Sequence, residues 1–107
     1  MDTILAELES WRNDHDLALL VFTTSDCGVC NALKPKVAEL TSEYPRLAVR
    51  YIDVEEHPEA AGQYSVFVVP VFLLVVGGHE ALRLARHFGM HELERPVARY
   101  AELLEES

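Results

Sequence analysis

Hydrophobic positions near the start of the chain predict a helix followed by a buried strand. Apolar residues at positions 4, 5, 8 and 11 fall on one side of a helix, which we place at about 3–13, with Asp2 or Thr3 as its N-cap. A polar turn separates this helix from residues 17–23, an apolar run without alternation. Such a run is typical of a strand that is covered on both faces of its sheet.

A second helical pattern starts at Cys30 and returns every three or four residues as far as Tyr44. Pro45 ends this helix, because the residue before a proline avoids helical dihedral angles. A strand at 47–54 and a short helix at 58–63 follow, and the short helix has a proline at its first position.

The last third of the chain predicts a hairpin and a helix. The apolar strand at 71–76 is followed by a Gly77-Gly78 turn and by a strand over 80–87 that pairs back on it. Residues 93–104 carry apolar side chains at helical spacing, with Pro96 either near the start of this helix or at a kink in it. The order αβαβαββα predicts an α/β fold in which a four-stranded mixed sheet has helices on both faces.

The two cysteines of the chain, Cys27 and Cys30, lie between the first predicted strand and the second predicted helix. This context favours a redox role for a CxxC pair. A helix N-terminus presents unpaired amides and a partial positive charge, which favour a thiolate, so Cys27 is the candidate nucleophile. Cys30, one turn further into the helix, is the candidate resolving cysteine.

The two cysteines could also have one of two other roles. They could pack in the core as small hydrophobic residues. A metal site is disfavoured, because zinc requires four ligands and the sequence offers neither a second cysteine pair nor a convincing histidine pair. We therefore expect no metal.

The length and charge of the chain limit the number of domains and the kinds of partner that it can have. A chain of 107 residues fits one domain over 1–107, and the net charge of -9 argues against nucleic acid and anionic membranes as partners. The apolar stretch at 66–76 is interrupted by Pro70 and is shorter than the roughly 20 residues of a membrane span. The first residues show no signal peptide pattern, so we expect a cytoplasmic protein whose thiols are mostly reduced.

From Leu17 onward the sequence resembles the thioredoxin family. Four motifs carry the resemblance: Cys27-Gly28-Val29-Cys30 after a buried strand, Pro35 at the family's spacing, Tyr51-Ile52-Asp53-Val54, and Val69-Pro70 before an apolar strand. The resemblance implies a thioredoxin-like fold that lacks the first edge strand. It also implies a thiol–disulfide oxidoreductase that acts on protein substrates, with roles in electron transport and cell redox homeostasis.

The resemblance also implies a docking surface around the cysteines. Pro70 is expected to be cis and to lie beside the two sulfurs, with Val68 and Val69 exposed there and the backbone of Val69 pairing with an extended substrate segment. Gly28 and Val29 complete this surface. Electrons would come from a thiol reductase or a small thiol, and no bound cofactor is implied.

Several positions depart from the family pattern, including Val29, where the family usually has proline. The family's buried acid falls at Val21, its lysine partner falls near Val49, and the tryptophan before the first cysteine is replaced by Asp26. Without the acid, deprotonation of the buried Cys30 should be slow. A second interpretation is therefore a redox-sensing or adaptor module with little general reductase turnover.

Asp26 and Pro35 are the candidate tuning residues. A helix N-terminus stabilises an exposed thiolate by roughly 0.3–1 kcal/mol. A carboxylate about 6 Å away in a watery setting opposes it by about 0.7 kcal/mol, so the two effects are comparable. Asp26 is also a candidate N-cap for the helix amides. We expect Cys27 to be less acidic than the corresponding cysteine of a typical thioredoxin.

The missing edge strand would leave the strand at 47–54 with unpaired backbone groups. A homodimer that pairs this strand with a second copy across a two-fold axis would satisfy them. The alternative is a monomer whose edge is covered by the first helix or a loop, or is blunted by Arg50.

Overall fold

The computed structural model describes residues 3–106 and has the predicted order of elements. The elements are α1 (Thr3–Asp14), β1 (Leu17–Thr23), α2 (Gly28–Glu43), β2 (Ala48–Asp53), α3 (Pro58–Gln63), β3 (Val71–Val76), β4 (His79–Ala85) and α4 (His91–Glu106). The expected cap at Asp2, or at the side chain of Thr3, lies outside the part of the chain that is described.

The four strands form one mixed sheet in the order β2-β1-β3-β4. Strand β1 pairs parallel to β2 and antiparallel to β3, and β3 pairs antiparallel to β4. All seven residues of β1 are buried, as the uninterrupted apolar run predicted. Within residues 3–106 no strand precedes β1, so β2 is an edge of the sheet, and the predicted fold class is confirmed.

The two faces of the sheet carry separate hydrophobic cores, because alternate residues of β1 point to opposite sides. One core joins α1 and α3 to the sheet and includes Leu8, Leu20, Phe22, Ile52 and Leu73. The other joins α2 and α4 to the sheet and includes Val21, Val37, Leu40, Phe72 and Val97. The sheet is therefore covered by helices on both faces.

The ends of two predicted elements are corrected by local contacts. Strand β4 ends at Ala85 rather than at position 87, because Arg86 has a left-handed backbone (φ 61°) and turns its N–H to the carbonyl of Pro70 at 2.8 Å. Helix α4 starts at His91 and runs through Pro96. Its start is fixed by the Glu92 carboxylate, which accepts a hydrogen bond from the N–H of Gly89 at 2.8 Å.

One charged side chain of the edge strand β2 forms an ion pair with helix α1. The guanidinium of Arg50 lies 3.4 Å from the carboxylate of Glu7, so one charged side chain of the edge strand is held against the first helix. Tyr51, the next residue, is 42% exposed. A charged residue on an edge strand disfavours further strand pairing.

Candidate redox site

Strand pairing brings two loops together at one end of the sheet. Phe22, near the end of β1, pairs with Val71, the first residue of β3. The loop that leads to Cys27 and the loop that ends at Pro70 therefore lie at the same end of the sheet. The sequence placed these two segments about forty residues apart, and the antiparallel register makes them neighbours.

Cys27 is the N-cap of α2 and is joined to Cys30 by a disulfide, with the two Cα atoms 5.2 Å apart. The Sγ atom of Cys27 accepts a hydrogen bond from the N–H of Cys30 at 3.1 Å. The proposed cap by Asp26 was wrong: α2 begins at Gly28, so the cap position falls on the cysteine itself. An otherwise unpaired helix amide is thus directed at the sulfur of Cys27.

The two cysteines differ in their exposure. Cys30 is only 4% exposed, whereas Cys27 is partly exposed and lies before Gly28 and Val29, which both face solvent. Val29 is 53% exposed. A substrate disulfide that approaches the surface therefore meets Cys27 before Cys30.

The segment before β3 places apolar side chains at the surface beside this end of the sheet. The Val69–Pro70 peptide bond is cis. Phe67 is 87% exposed and Val68 39% exposed, whereas Val66 is buried. A hollow of about 160 Å³ is lined by Val54 together with residues 66–69. Phe67 has the largest exposed fraction of this segment and was not singled out from the sequence as a site residue.

Arg83 of β4 fixes the start of this segment. Its guanidinium donates hydrogen bonds to the carbonyl of Tyr64 at 2.8 Å and to the carbonyl of Ser65 at 3.4 Å. Ser65 has a left-handed backbone (φ 56°), a conformation that is costly for a residue with a side chain and needs support from its surroundings. Glu80 accepts from the same guanidinium at 3.2 Å and orients it. The sequence carried no signal for this long-range contact.

A second, polar hollow of about 320 Å³ lies beside the loop that precedes Cys27. Its lining includes Ser25, Lys34, Tyr51, Asp53 and His57. The Lys34 ammonium lies 5.6 Å from the centre of the Tyr51 ring. Burial raises the pKa of the Tyr51 phenol above its ordinary value. The carboxylate of Asp53 accepts two backbone hydrogen bonds and shapes the turn after β2.

The positions of the family's buried acid and lysine are apolar in the fold as well as in the sequence. Val21 is 2% exposed and packs with the partly buried Val49 in the core beneath α2 and α4. Neither side chain can accept or donate a proton. Pro35 lies inside α2 on its exposed side, and the helix continues through it.

Residues 3–106 contain no group of three or more histidine, cysteine, aspartate or glutamate side chains arranged to hold a metal ion. None of the helices described is both long and apolar enough to cross a membrane.

Comparison with known proteins decides the family. The family model described as Thioredoxin matches residues 6–98. The chain belongs to the thioredoxin family. It is 32% identical to the thioredoxin-like protein YdfQ of Bacillus subtilis over 94% of this chain and 90% of that protein. It is 34% identical to an H-type thioredoxin of Fagopyrum esculentum over 68% of this chain and 63% of that one.

Solved structures agree with this assignment. A mutant thioredoxin of Halobacterium salinarum superposes with a TM-score of 0.82 at 29% identity, over 90% of this chain and 84% of that one. Thioredoxin 1 of Thermosipho africanus gives 0.75 at 30% identity, over 82% and 98%. Family membership together with the Cys27–Cys30 pair makes this thioredoxin-family protein a thiol–disulfide oxidoreductase, in a family that acts on disulfide-containing proteins.

Proposed function

We propose that Cys27 is the nucleophile and Cys30 the resolving cysteine of a protein-disulfide reductase. In the reduced protein, the Cys27 thiolate attacks one sulfur of a substrate disulfide, forms a mixed disulfide and releases the other substrate sulfur as a thiolate. Cys30 then loses its proton and attacks the Sγ of Cys27. The Cys27–Cys30 disulfide forms and the second substrate sulfur leaves as a thiolate. Two electrons have then passed to the substrate, whose two thiolates take up one proton from Cys30 and one from water.

The unequal exposure of the two cysteines carries this assignment. Attack requires an accessible thiolate, and Cys27 is the partly exposed member, with the Cys30 amide directed at its sulfur. Resolution requires a second thiol that substrates do not reach, and Cys30 is 4% exposed. A thiol reductase or a small thiol, such as would be present in the cytoplasm, returns the disulfide to the dithiol.

We assign substrate docking to Gly28, Val29, Val68, Val69 and Pro70. An extended segment on either side of the substrate cysteine would pair with the backbone of Val69, in the manner of a short added strand. The exposed apolar side chains around it support this, because such surface is otherwise costly to leave in water.

Reduction of a protein disulfide such as that of insulin, with a dithiol as the electron donor, tests these assignments. Cys27→Ser should abolish turnover, and Cys30→Ser should trap a mixed disulfide with the substrate that can be isolated without reductant. If Cys27→Ser retains turnover, or if the trapped adduct is carried by Cys30 in the reciprocal variant, the two roles are wrongly assigned.

A second candidate function is a redox sensor or adaptor. It is favoured by the apolar side chain of Val21, which leaves the buried Cys30 thiol without a neighbouring carboxylate at that position. In that case the wild type would form the disulfide reversibly but would reduce insulin at a negligible rate. Measurement of both properties on the same preparation separates the two functions.

The exposed edge of β2 allows two assembly states. Pairing of β2 with a second copy would satisfy the edge of the sheet, whereas the Arg50–Glu7 pair favours a monomer. Sedimentation at several concentrations decides between them, with Tyr51→Lys as a variant that places a further charge on this edge.

A further inference from the structure

A hollow of about 520 Å³ lies between β4 and α4. It is lined by Ala81, Leu82, Arg95, Pro96, Arg99 and Tyr100. The size falls in the range that small organic ligands occupy. Neither the cysteines nor residues 66–70 contribute to it.

The charge of the lining is opposite to that of the chain. The chain has a net charge of -9, yet the ionisable groups around the hollow are two guanidinium groups and a phenol, with no carboxylate. Arg95 and Arg99 are four residues apart on α4 and therefore lie on the same side of the helix. Within residues 3–106, neither guanidinium forms an ion pair or a side-chain hydrogen bond.

The floor of the hollow is apolar and comes from an irregularity in the edge strand. Leu74 pairs with Leu82 and Val75 pairs with Glu80, so Ala81 is left without a partner in a β-bulge. A bulge interrupts the regular edge and opposes the addition of another strand there. The small side chain of Ala81 leaves room, and Leu82, Pro96 and Tyr100 supply apolar surface.

We propose that this hollow binds a small amphipathic carboxylate. Its apolar body packs against Pro96 and the Tyr100 ring, and its carboxylate lies between the guanidinium groups of Arg95 and Arg99. Charge-assisted hydrogen bonds from guanidinium to carboxylate are among the stronger polar contacts, and the apolar floor selects against small inorganic anions. The site is separate from the thiol chemistry and does not depend on it.

Titration of the full-length oxidised protein with phenylbutyrate, followed by the amide chemical shifts in NMR spectra, tests the site. We expect saturable shifts that are largest for residues 81, 82, 99 and 100. Phenylbutyramide, which keeps the shape but lacks the charge, should bind at least about fivefold more weakly, as should acetate, which lacks the apolar body.

Variants identify the groups responsible. Arg95→Gln combined with Arg99→Gln should reduce phenylbutyrate affinity to that of the amide, whereas Arg46→Gln, which removes the same type of charge at a remote position, should leave it unchanged. All three substitutions are at solvent-exposed side chains, so folding is preserved. Equal binding of phenylbutyrate and its amide, shifts scattered over the surface, or an equal loss in the Arg46 variant would each overturn the proposal.

Discussion

Arg83 and Tyr64 are joined by a hydrogen bond of 2.8 Å, from the guanidinium of a strand residue to a carbonyl at the end of a helix. The same guanidinium reaches Ser65, whose left-handed backbone redirects the chain towards Val66 and the cis proline. Helix carbonyls at this end have no partner within the helix and favour a cation. The conformation of residues 66–70, which include the proposed docking residues Val68, Val69 and Pro70, therefore depends on a side chain from the edge strand β4.

Removal of this contact should impair docking more than chemistry. We expect Arg83→Gln to lower the free energy of unfolding by about 1 kcal/mol and to raise KM for a protein disulfide about threefold to tenfold. The rate with a small aromatic disulfide, which needs little docking surface, should stay near that of the wild type. Arg46→Gln is the control for loss of a surface charge. An equal loss with both substrates would argue against a positioning role.

Phe67 should contribute to substrate affinity but not to stability. Because its side chain is 87% exposed, Phe67→Ser should change the free energy of unfolding by less than about 0.5 kcal/mol. We expect kcat/KM for a protein disulfide to fall about threefold to tenfold, since Phe67 is an exposed aromatic residue on a loop at the same end of the sheet as the cysteines, and such residues are typical contact anchors. Leu103→Ser, at an exposed apolar residue of α4, is the matched control. Similar kinetics for both variants would contradict this role.

A buried acid at position 21 should lower the stability of the fold and raise the rate of turnover. Val21→Asp places a carboxyl group at a site that is 2% exposed, which should cost about 2 kcal/mol or more. The same group would accept the proton of Cys30 and speed resolution of the mixed disulfide. Val21→Asn is the control of similar size that cannot ionise. Faster resolution of the mixed disulfide in the asparagine variant, or an unchanged rate in the aspartate variant, would mean that proton transfer from Cys30 does not limit the rate.

Asp26 should oppose ionisation of the Cys27 thiol. Asp26→Asn keeps the shape of the side chain and removes its charge, so the thiolate of the reduced protein should form at lower pH. Ultraviolet absorbance of the thiolate during a pH titration measures this directly. Asp14→Asn, at the exposed end of α1, controls for the change in net charge. An unchanged titration in the Asp26 variant would show that the helix amides alone determine thiol acidity.

Tyr51 should make stability depend on pH in the alkaline range. Burial raises the pKa of this phenol above the ordinary value of 10.0, so the unfolded chain loses its proton at lower pH than the folded one. Between those two pKa values the folded state binds more protons, and the free energy of unfolding must fall as pH rises. Tyr51→Phe should reduce that fall, because the substitution removes the phenol whose proton is lost. Denaturant titrations across this range give the slopes.

Local patterns along the chain were enough to define most of the fold. The apolar run at 17–23 has one stable environment, the middle of a covered sheet, and β1 lies there with every residue buried. Pro45 and Pro58 bound elements through their own backbone restrictions, and those boundaries were found within a residue. The end of strand β4 was predicted two residues too late. It depends on a hydrogen bond from the N–H of Arg86 to the carbonyl of Pro70, a partner sixteen residues away.

The residues of the redox site were predictable in identity but only partly in arrangement. Cysteine spacing and the helical pattern that follows predicted that Cys27 lies at the start of α2 and that Cys30 lies one turn further along, because both positions depend on neighbours along the chain. The tertiary structure alone decided three further properties. These are which side chain caps α2, how far Phe67 is exposed, and that Arg83 donates a hydrogen bond to the carbonyl of Tyr64. Those properties depend on strand register and side-chain packing between distant segments, and hydrophobic periodicity carries no information about such pairings.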